Sequence, residues 1–115
     1  MIEETIYDYL TTALYDVPVY MVTPDNPRPD GATFVRFEKT GSGISNQLKN
    51  ATIAVQSYAP TLYDAMLLNE DVKTAMLAMV SEKEIASVKL NSDYNYTDTS
   101  TKTPRYQAVF VVYHY

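Results

Sequence analysis

Apolar residues near the N-terminus recur at intervals of three and four residues, the spacing of one helix face. They are Ile2, Ile6, Tyr9, Leu10 and Ala13. Glu3 and Glu4 fall in the first turn, where the helix dipole favours negative charge. The pattern predicts a helix over residues 2–14 that ends before Pro18, because proline disfavours helical geometry in the residue preceding it.

A second helix is predicted from residue 61, where Thr61 and Asp64 have the spacing of an N-terminal cap. Its buried face is expected to hold eight apolar residues over five turns. They are Leu62, Ala65, Leu68, Val72, Ala75, Met76, Met79 and Val80. Leu67 falls on the opposite side among charged residues, so we expect it to be exposed.

Alternating apolar and polar residues predict five strands, at 17–22, 32–39, 51–58, 85–90 and 106–115. Residues 23–31 contain three prolines and predict a loop, and residues 40–50 predict a flexible turn around Gly41-Ser42-Gly43. The element order is α-β-β-β-α-β-β. It favours a single α+β domain over residues 1–115, with a mixed, mainly antiparallel sheet of about five strands and two helices on one face.

The last strand has two apolar faces. Tyr106, Ala108, Phe110 and Val112 alternate with Val109, Val111 and Tyr113, a pattern typical of a strand covered on both sides. Two helices can cover one side. The other side needs either the long loops or another subunit, and we favour the second.

Composition excludes several classes of function. The chain has 115 residues, a net charge of −5 and no cysteine, which excludes disulfides and thiolate chemistry. Nine basic residues are scattered without a basic stripe, which disfavours nucleic acid as the main ligand. No signal peptide or membrane-spanning run is visible, so we expect synthesis in the cytosol and no membrane partner.

Residues that could support catalysis are few. His114 is the only histidine. The neighbouring acidic residues, Glu3 and Glu4, Glu70 and Asp71, and Glu82 and Glu84, are expected to be solvated residues of helices or turns. Gly41-Ser42-Gly43 lacks the Gly-Lys-Ser/Thr of a phosphate-binding loop. We therefore expect no catalytic residue, no metal site and no cofactor.

Tyrosine is in excess, with eleven residues against three phenylalanines. Tyrosine suits surfaces that are wet in a free subunit and buried in a complex. Residues 91–102 carry Tyr94 and Tyr96 among small polar residues, a mixture typical of binding loops. The alternative is a mobile hairpin tip that contacts nothing.

Several segments, in order, resemble the tail terminator and neck proteins of long-tailed phages. They are Pro27-Arg28-Pro29, the run from Phe34 to Gly41-Ser42-Gly43, Gln56-Ser57-Tyr58-Ala59, the helix 62–79, Tyr94-Asn95-Tyr96 and Pro104-Arg105-Tyr106-Gln107. No single motif is specific, and their order and spacing carry the resemblance.

The resemblance implies a hexameric ring that caps the tail tube and joins the tail to the head, without catalysis. Its partners would be further copies of the chain, the tail tube protein and a head-closure or neck protein, with DNA passing through as cargo. The protein would be assembled in the bacterial cytoplasm and end in the virion. The alternatives are another neck component, such as a head-closure or adaptor protein, and a small nucleotide- or metal-binding enzyme.

Residues expected at subunit or partner interfaces come from these segments and from the predicted loops. They are Pro27, Arg28, Pro29, Gly41, Ser42, Gly43, Tyr94, Asn95, Tyr96, Arg105 and Tyr106.

Overall fold

Two helices lie on one face of a five-stranded sheet in the computed structural model, which describes residues 1–21, 33–100 and 102–115. The elements in chain order are α1 (Ile2–Ala13), β1 (Val19–Tyr20), β2 (Phe34–Ser45), β3 (Leu48–Tyr58), α2 (Leu62–Ala78), a 3₁₀ turn (Met79–Ser81), β4 (Ile85–Asn95) and β5 (Arg105–His114). None of the helices within these ranges is both long and apolar enough to cross a membrane.

The sheet order is β1-β2-β3-β5-β4. Strand β1 runs parallel to β2, and the other three pairings are antiparallel. The predicted α+β class, the element order and the five-stranded, mainly antiparallel sheet are confirmed. The final strand of the chain, β5, lies inside the sheet between β3 and β4, as expected for a strand that is apolar on both sides.

One core joins both helices to the same face of the sheet. Its largest fully buried side chains include Ile6 and Leu10 of α1, Val72 and Met76 of α2, and Phe37, Ile53 and Phe110 of the sheet. The Tyr9 hydroxyl donates to the Ala75 carbonyl at 2.7 Å and fixes the helices against each other. Thr61 Oγ1 accepts the Asp64 N–H at 3.1 Å, which confirms the predicted cap.

Three core assignments were wrong at helix ends. Leu62, Val80 and Ala13 are exposed, whereas Leu14 is buried. The backbone leaves helical geometry at Leu14 (φ −108°, ψ 56°), which turns its side chain inward. Val80 lies in the 3₁₀ turn that continues α2, at the edge of the buried face, and its side chain remains 49% exposed. The exposure of Leu67 is confirmed.

The predicted flexible turn at 40–50 is wrong. Strand β2 continues through Gly41, Ser42 and Gly43 to Ser45, and Asn46 and Gln47 alone connect it to β3. Both connecting residues have positive φ, 50° and 66°, which is the geometry of a two-residue hairpin turn. A register shift between Lys39 and Gly41 marks the start of this extension. We call paired residues 41–52 the ribbon.

Strand β4 is also longer than predicted, since it ends at Asn95 and not at residue 90. Register shifts between Ile85 and Ser87 and between Leu90 and Ser92 interrupt its alternation, which explains why the sequence pattern failed there. Strand β1 covers only Val19–Tyr20 of the predicted 17–22, of which residue 22 lies outside the described residues, as does the predicted loop at 23–31. The Pro18 carbonyl still accepts the Val35 N–H at 2.9 Å and continues the pairing with β2.

Candidate partner-binding surface

The sheet face opposite the helices carries a cluster of side chains that are joined by hydrogen bonds and ring contacts. Strand register places Phe34, Tyr58 and Arg105 side by side in one row of this helix-free face. The next row holds Arg36, Gln56, Gln107 and Tyr94 on β2, β3, β5 and β4. Residues from four strands therefore meet at one end of the sheet.

Two buried glutamines link these strands through their side chains. Gln56 Nε2 donates to Gln107 Oε1 at 2.7 Å, and Gln107 Nε2 donates to the Tyr94 hydroxyl at 2.6 Å. Gln56 Oε1 accepts from Arg36 Nη1 at 3.0 Å and from the Tyr58 hydroxyl at 3.3 Å. Each amide is used as both donor and acceptor, so the row of side chains is fixed in one orientation.

Arg105 holds the aromatic side chains at the end of this row. Its Nη1 donates to the Tyr58 hydroxyl at 3.0 Å and its Nε to the Tyr96 carbonyl at 2.5 Å. The guanidinium carbon lies 4.5 Å from the centre of the Tyr96 ring, within the range of a cation–π contact. The charge of Arg105 is thus bound at several points and little conformational freedom remains to be lost on binding.

The aromatic rings themselves form two contacting groups. Phe34 stacks on Tyr58 with ring centres 4.4 Å apart, and Tyr20 meets Phe34 edge to face at 5.7 Å. Tyr94 and Tyr96 also meet edge to face, at 5.9 Å. We call Phe34, Tyr58, Tyr94, Tyr96 and Arg105 the tyrosine patch. Tyr94 and Tyr96 remain 42% and 41% exposed, whereas Phe34 and Tyr58 are buried, so the patch presents the rings of Tyr94 and Tyr96 to solvent on a buried aromatic support.

On the rest of the helix-free face, the residues of β5 form an apolar row that is only partly covered, between polar neighbours such as Thr52 on β3 and Ser92 on β4. Val109, Val111 and Tyr113 of β5 are half-buried there, while Ala108, Phe110 and Val112 point into the core. Lys89 Nζ lies 5.9 Å from the centre of the Tyr113 ring. Across the described ranges, both helices and the 3₁₀ turn pack on the core side, so no helix of those ranges covers Val109, Val111 and Tyr113.

Three of the residues predicted from the sequence meet in the patch: Tyr94, Tyr96 and Arg105. Asn95 and Tyr106 pair with each other and point to the helix side of the sheet, so the structure does not bring them to the patch. The Asn95 side chain instead accepts the Thr97 N–H at 3.0 Å and the Thr97 hydroxyl at 2.6 Å. It shapes the turn that follows β4.

Gly41, Ser42 and Gly43 lie in the ribbon, away from the patch. Gly43 pairs with Asn50, eight residues along β3 from Tyr58, which is about 26 Å at 3.3 Å per residue. The structure does not bring these residues to the patch. Pro27, Arg28 and Pro29 lie outside the described residues.

The residues that sequence reasoning missed are Phe34, Arg36, Gln56, Tyr58 and Gln107, none of which was assigned to an interface. A signal was present for two of them. Gln56 and Gln107 border the apolar runs 53–55 and 108–112, and a buried amide needs a partner. The partner could not be found without the strand register.

The polar turn between β4 and β5 is internally bonded. Asp98 bridges to Thr103, and the Asp98 carboxylate accepts the Ser100 N–H at 2.9 Å and the Ser100 hydroxyl at 2.7 Å. Lys102 adopts a positive φ of 57°. These contacts show an Asx-type turn at the tip, next to the patch.

A different surface lies at the opposite end, between the start of α1 and the ribbon. It is lined in part by Lys39, Lys49 and His114, and the Glu3 carboxylate binds Lys39 at 3.3 Å. Burial lowers the pKa of His114, and the nearby charges of Lys49 and Lys39 lower it further. In the parts of the chain that the structure describes, no group of three or more His, Cys, Asp or Glu residues could hold a metal ion.

Aromatic rings, amides and a bound guanidinium give the patch the chemistry of recognition. Compared with known proteins, the chain matches no protein-family model, and a search of curated proteins finds no match either. The argument for function therefore rests on the residues and their geometry.

Proposed function

We propose that this chain is a structural protein of a long-tailed phage virion that forms a ring on the end of the tail tube and joins the tail to the head. The proposal combines the order of segments that resembles tail terminators with the surface on the helix-free face. The protein has no enzymatic role in this proposal. It is assembled in the bacterial cytoplasm and retained in the virion.

One observation carries the proposal: the sheet face opposite the helices holds a pre-ordered patch beside the half-buried apolar row Val109, Val111 and Tyr113. A rigid patch loses little entropy when a partner binds, and partly covered valine and tyrosine side chains gain from being removed from water. Surfaces rich in tyrosine and arginine are common at the centres of protein interfaces. This face is therefore suited to contact another folded protein.

Three kinds of partner fit such a ring. Other copies of the chain would close it, the tail tube protein would lie beneath it, and a head-closure or neck protein would lie above it. DNA would pass through without specific contact, and the net charge of −5 favours free passage by repelling phosphates.

The test is the mass of the protein measured by light scattering, with and without purified tail tubes. Six chains of 13.0 kDa predict a ring of about 78 kDa. Only monomer under both conditions would rule out the ring. Binding to tail tubes, and not to filled heads lacking tails, supports a terminator, whereas binding to heads alone would assign the chain to another neck component.

A further inference from the structure

The outer side of α2 carries an exposed apolar stripe that the fold does not use. Tyr63, Met66, Leu77 and Val80 are between 42% and 67% exposed. They lie along the helix and the 3₁₀ turn that continues it, beside the face that buries Val72 and Met76. Such a stripe is costly to leave in water over the length of a helix.

The stripe has the spacing of a helix–helix seam. Tyr63, Met66, Glu70, Lys73, Leu77 and Val80 follow one another at intervals of three, four, three, four and three residues. This is the 3.5-residue repeat by which paired helices keep one face in contact. We call these six residues the α2 seam. Its middle layer is charged, and both ends are apolar.

The charged residues Glu70 and Lys73 favour one relative orientation of two paired α2 helices. If two copies of α2 packed in parallel, Glu70 would face Glu70 and Lys73 would face Lys73, and like charges would repel. In an antiparallel pair centred between Asp71 and Val72, Glu70 faces the partner's Lys73. The seam is thus complementary to itself only when reversed.

The apolar ends agree with the same antiparallel arrangement. Met66 then faces the partner's Leu77, and Tyr63 faces the partner's Val80, so every apolar seam residue meets another. Within one chain, Lys73 Nζ binds Glu70 at 2.5 Å and Asp93 at 2.9 Å. These contacts hold the Lys73 ammonium in place beside the position that the partner's Glu70 would occupy.

We propose that the α2 seam binds a second copy of this chain through an antiparallel, two-fold contact between the α2 helices. A two-fold contact uses the same patch on both copies, and a seam whose second half complements its first half meets that condition. The contact is independent of the proposed ring, whose subunits would be related by a six-fold axis. It would join two free subunits, or two rings through their outer helices.

The size of the contact sets the conditions of the experiment. A helix of 17 residues is about 26 Å long, so the pair lies at the small end of protein interfaces. Contacts of this size are weak, and we expect a Kd of about 1 μM to 1 mM. Sedimentation should therefore be measured over protein concentrations up to about 1 mM.

The first test is the change Glu70→Lys, which places two lysines opposite each other in the charged layer. At high concentration the variant should have half the mass of the wild type. For free subunits this is 13.0 kDa against about 26 kDa, and for rings it is one ring against two. Halving is expected whether or not the ring forms, so failure of this proposal and failure of the ring are distinguishable. Asp71→Lys makes the same charge change one residue away, outside the seam, and should leave the mass unchanged.

The second test restores the contact between two variants. Glu70→Lys and Lys73→Glu should each be monomeric alone, whereas an equimolar mixture pairs lysine with glutamate at both contacts and should recover the dimer. Since Lys73 also binds Asp93, Leu77→Lys mixed with Met66→Glu provides a second pair that leaves Asp93 untouched. An unchanged mass for Glu70→Lys, an equal effect of Asp71→Lys, or mixtures that stay monomeric would overturn the proposal.

Discussion

At one end of the helix-free face, side chains from four strands bond to one another, whereas at the other end the strands are joined chiefly by their backbones. The tyrosine patch depends on Gln56, Gln107 and Arg105, whose side chains make hydrogen bonds to neighbours on adjacent strands. Ribbon residues 41–47 are exposed, and the hydroxyl of Thr40, just before the ribbon, donates to the Thr52 carbonyl at 3.4 Å.

This difference has a physical consequence for binding. Side chains that are already fixed present the same surface before and after a partner arrives, so little ordering cost opposes association. An extended ribbon with free side chains must lose rotamer freedom on binding. The two ends should therefore respond differently to substitution, and the following changes test that expectation.

The largest effect is expected from Gln56→Ala. The substitution removes the acceptor of the Arg36 and Tyr58 bonds and leaves the buried Gln107 amide without its donor. Unfolding free energy should fall by about 2 to 3 kcal/mol, because unsatisfied buried polar groups are costly. Asn50→Ala, on the same strand and face but in the ribbon, should cost less than about 0.5 kcal/mol. Urea denaturation showing equal losses would remove the distinction between the ends.

A smaller effect is expected from Arg105→Lys, which keeps the charge. Lysine cannot bond the Tyr58 hydroxyl and the Tyr96 carbonyl at once while stacking on the Tyr96 ring. We expect a loss of about 1 kcal/mol of stability. The reverse exchange in the ribbon, Lys49→Arg, should change the urea midpoint little. A midpoint unaltered by Arg105→Lys would show that the guanidinium geometry does not hold the patch.

At the ribbon tip the effect should have the opposite sign. Gln47 adopts a φ of 66°, a conformation that glycine reaches without the steric cost of a Cβ. Gln47→Gly should stabilise the hairpin by about 0.5 kcal/mol. Thermal unfolding would detect this as a small rise in Tm. A fall in Tm would mean that the Gln47 side chain contributes contacts that outweigh the strain.

The smallest effect is expected in the pH dependence of stability, and it comes from His114 at the ribbon end of the sheet. Because burial lowers the pKa of His114 below 6.5 in the folded state, the unfolded chain binds more protons as the pH falls below that value. Stability should be highest above pH 6.5 and decline as the pH drops toward the folded-state pKa. His114→Gln should flatten this part of the profile. An unchanged profile would assign the decline to other groups.

The spacing of apolar residues along the chain was sufficient to predict the element order, the strand number and the position of β5 inside the sheet. It was not sufficient for the strand ends. Gly41 and Gly43 suggested a loop, yet the turn is made by Asn46 and Gln47, and asparagine alone is a weak signal for a two-residue hairpin. The polar end of β4 was assigned to a loop because its register shifts break the alternation.

The candidate site was predicted only in part for a related reason. Tyr94 and Arg105 could be singled out by residue type and by the resemblance. Their association with Gln56 depends on which residues of β3, β4 and β5 stand opposite one another, and strand register is a tertiary property. Asn95 and Tyr106 are adjacent in sequence to Tyr94 and Arg105 but lie outside the patch, because adjacent residues on a strand point to opposite faces.

We propose that partners bind the tyrosine patch. Hydroxyl-radical footprinting, which labels exposed side chains, tests this most directly. Labelling of the free protein and of the protein bound to tail tubes is compared by mass spectrometry. We predict that Tyr94 and Tyr96 become protected, while Tyr15, which is 86% exposed in the turn after α1, and Ile44 in the ribbon remain labelled as before. Protection of Ile44 with Tyr94 and Tyr96 unchanged would contradict the claim and move the binding surface to the ribbon.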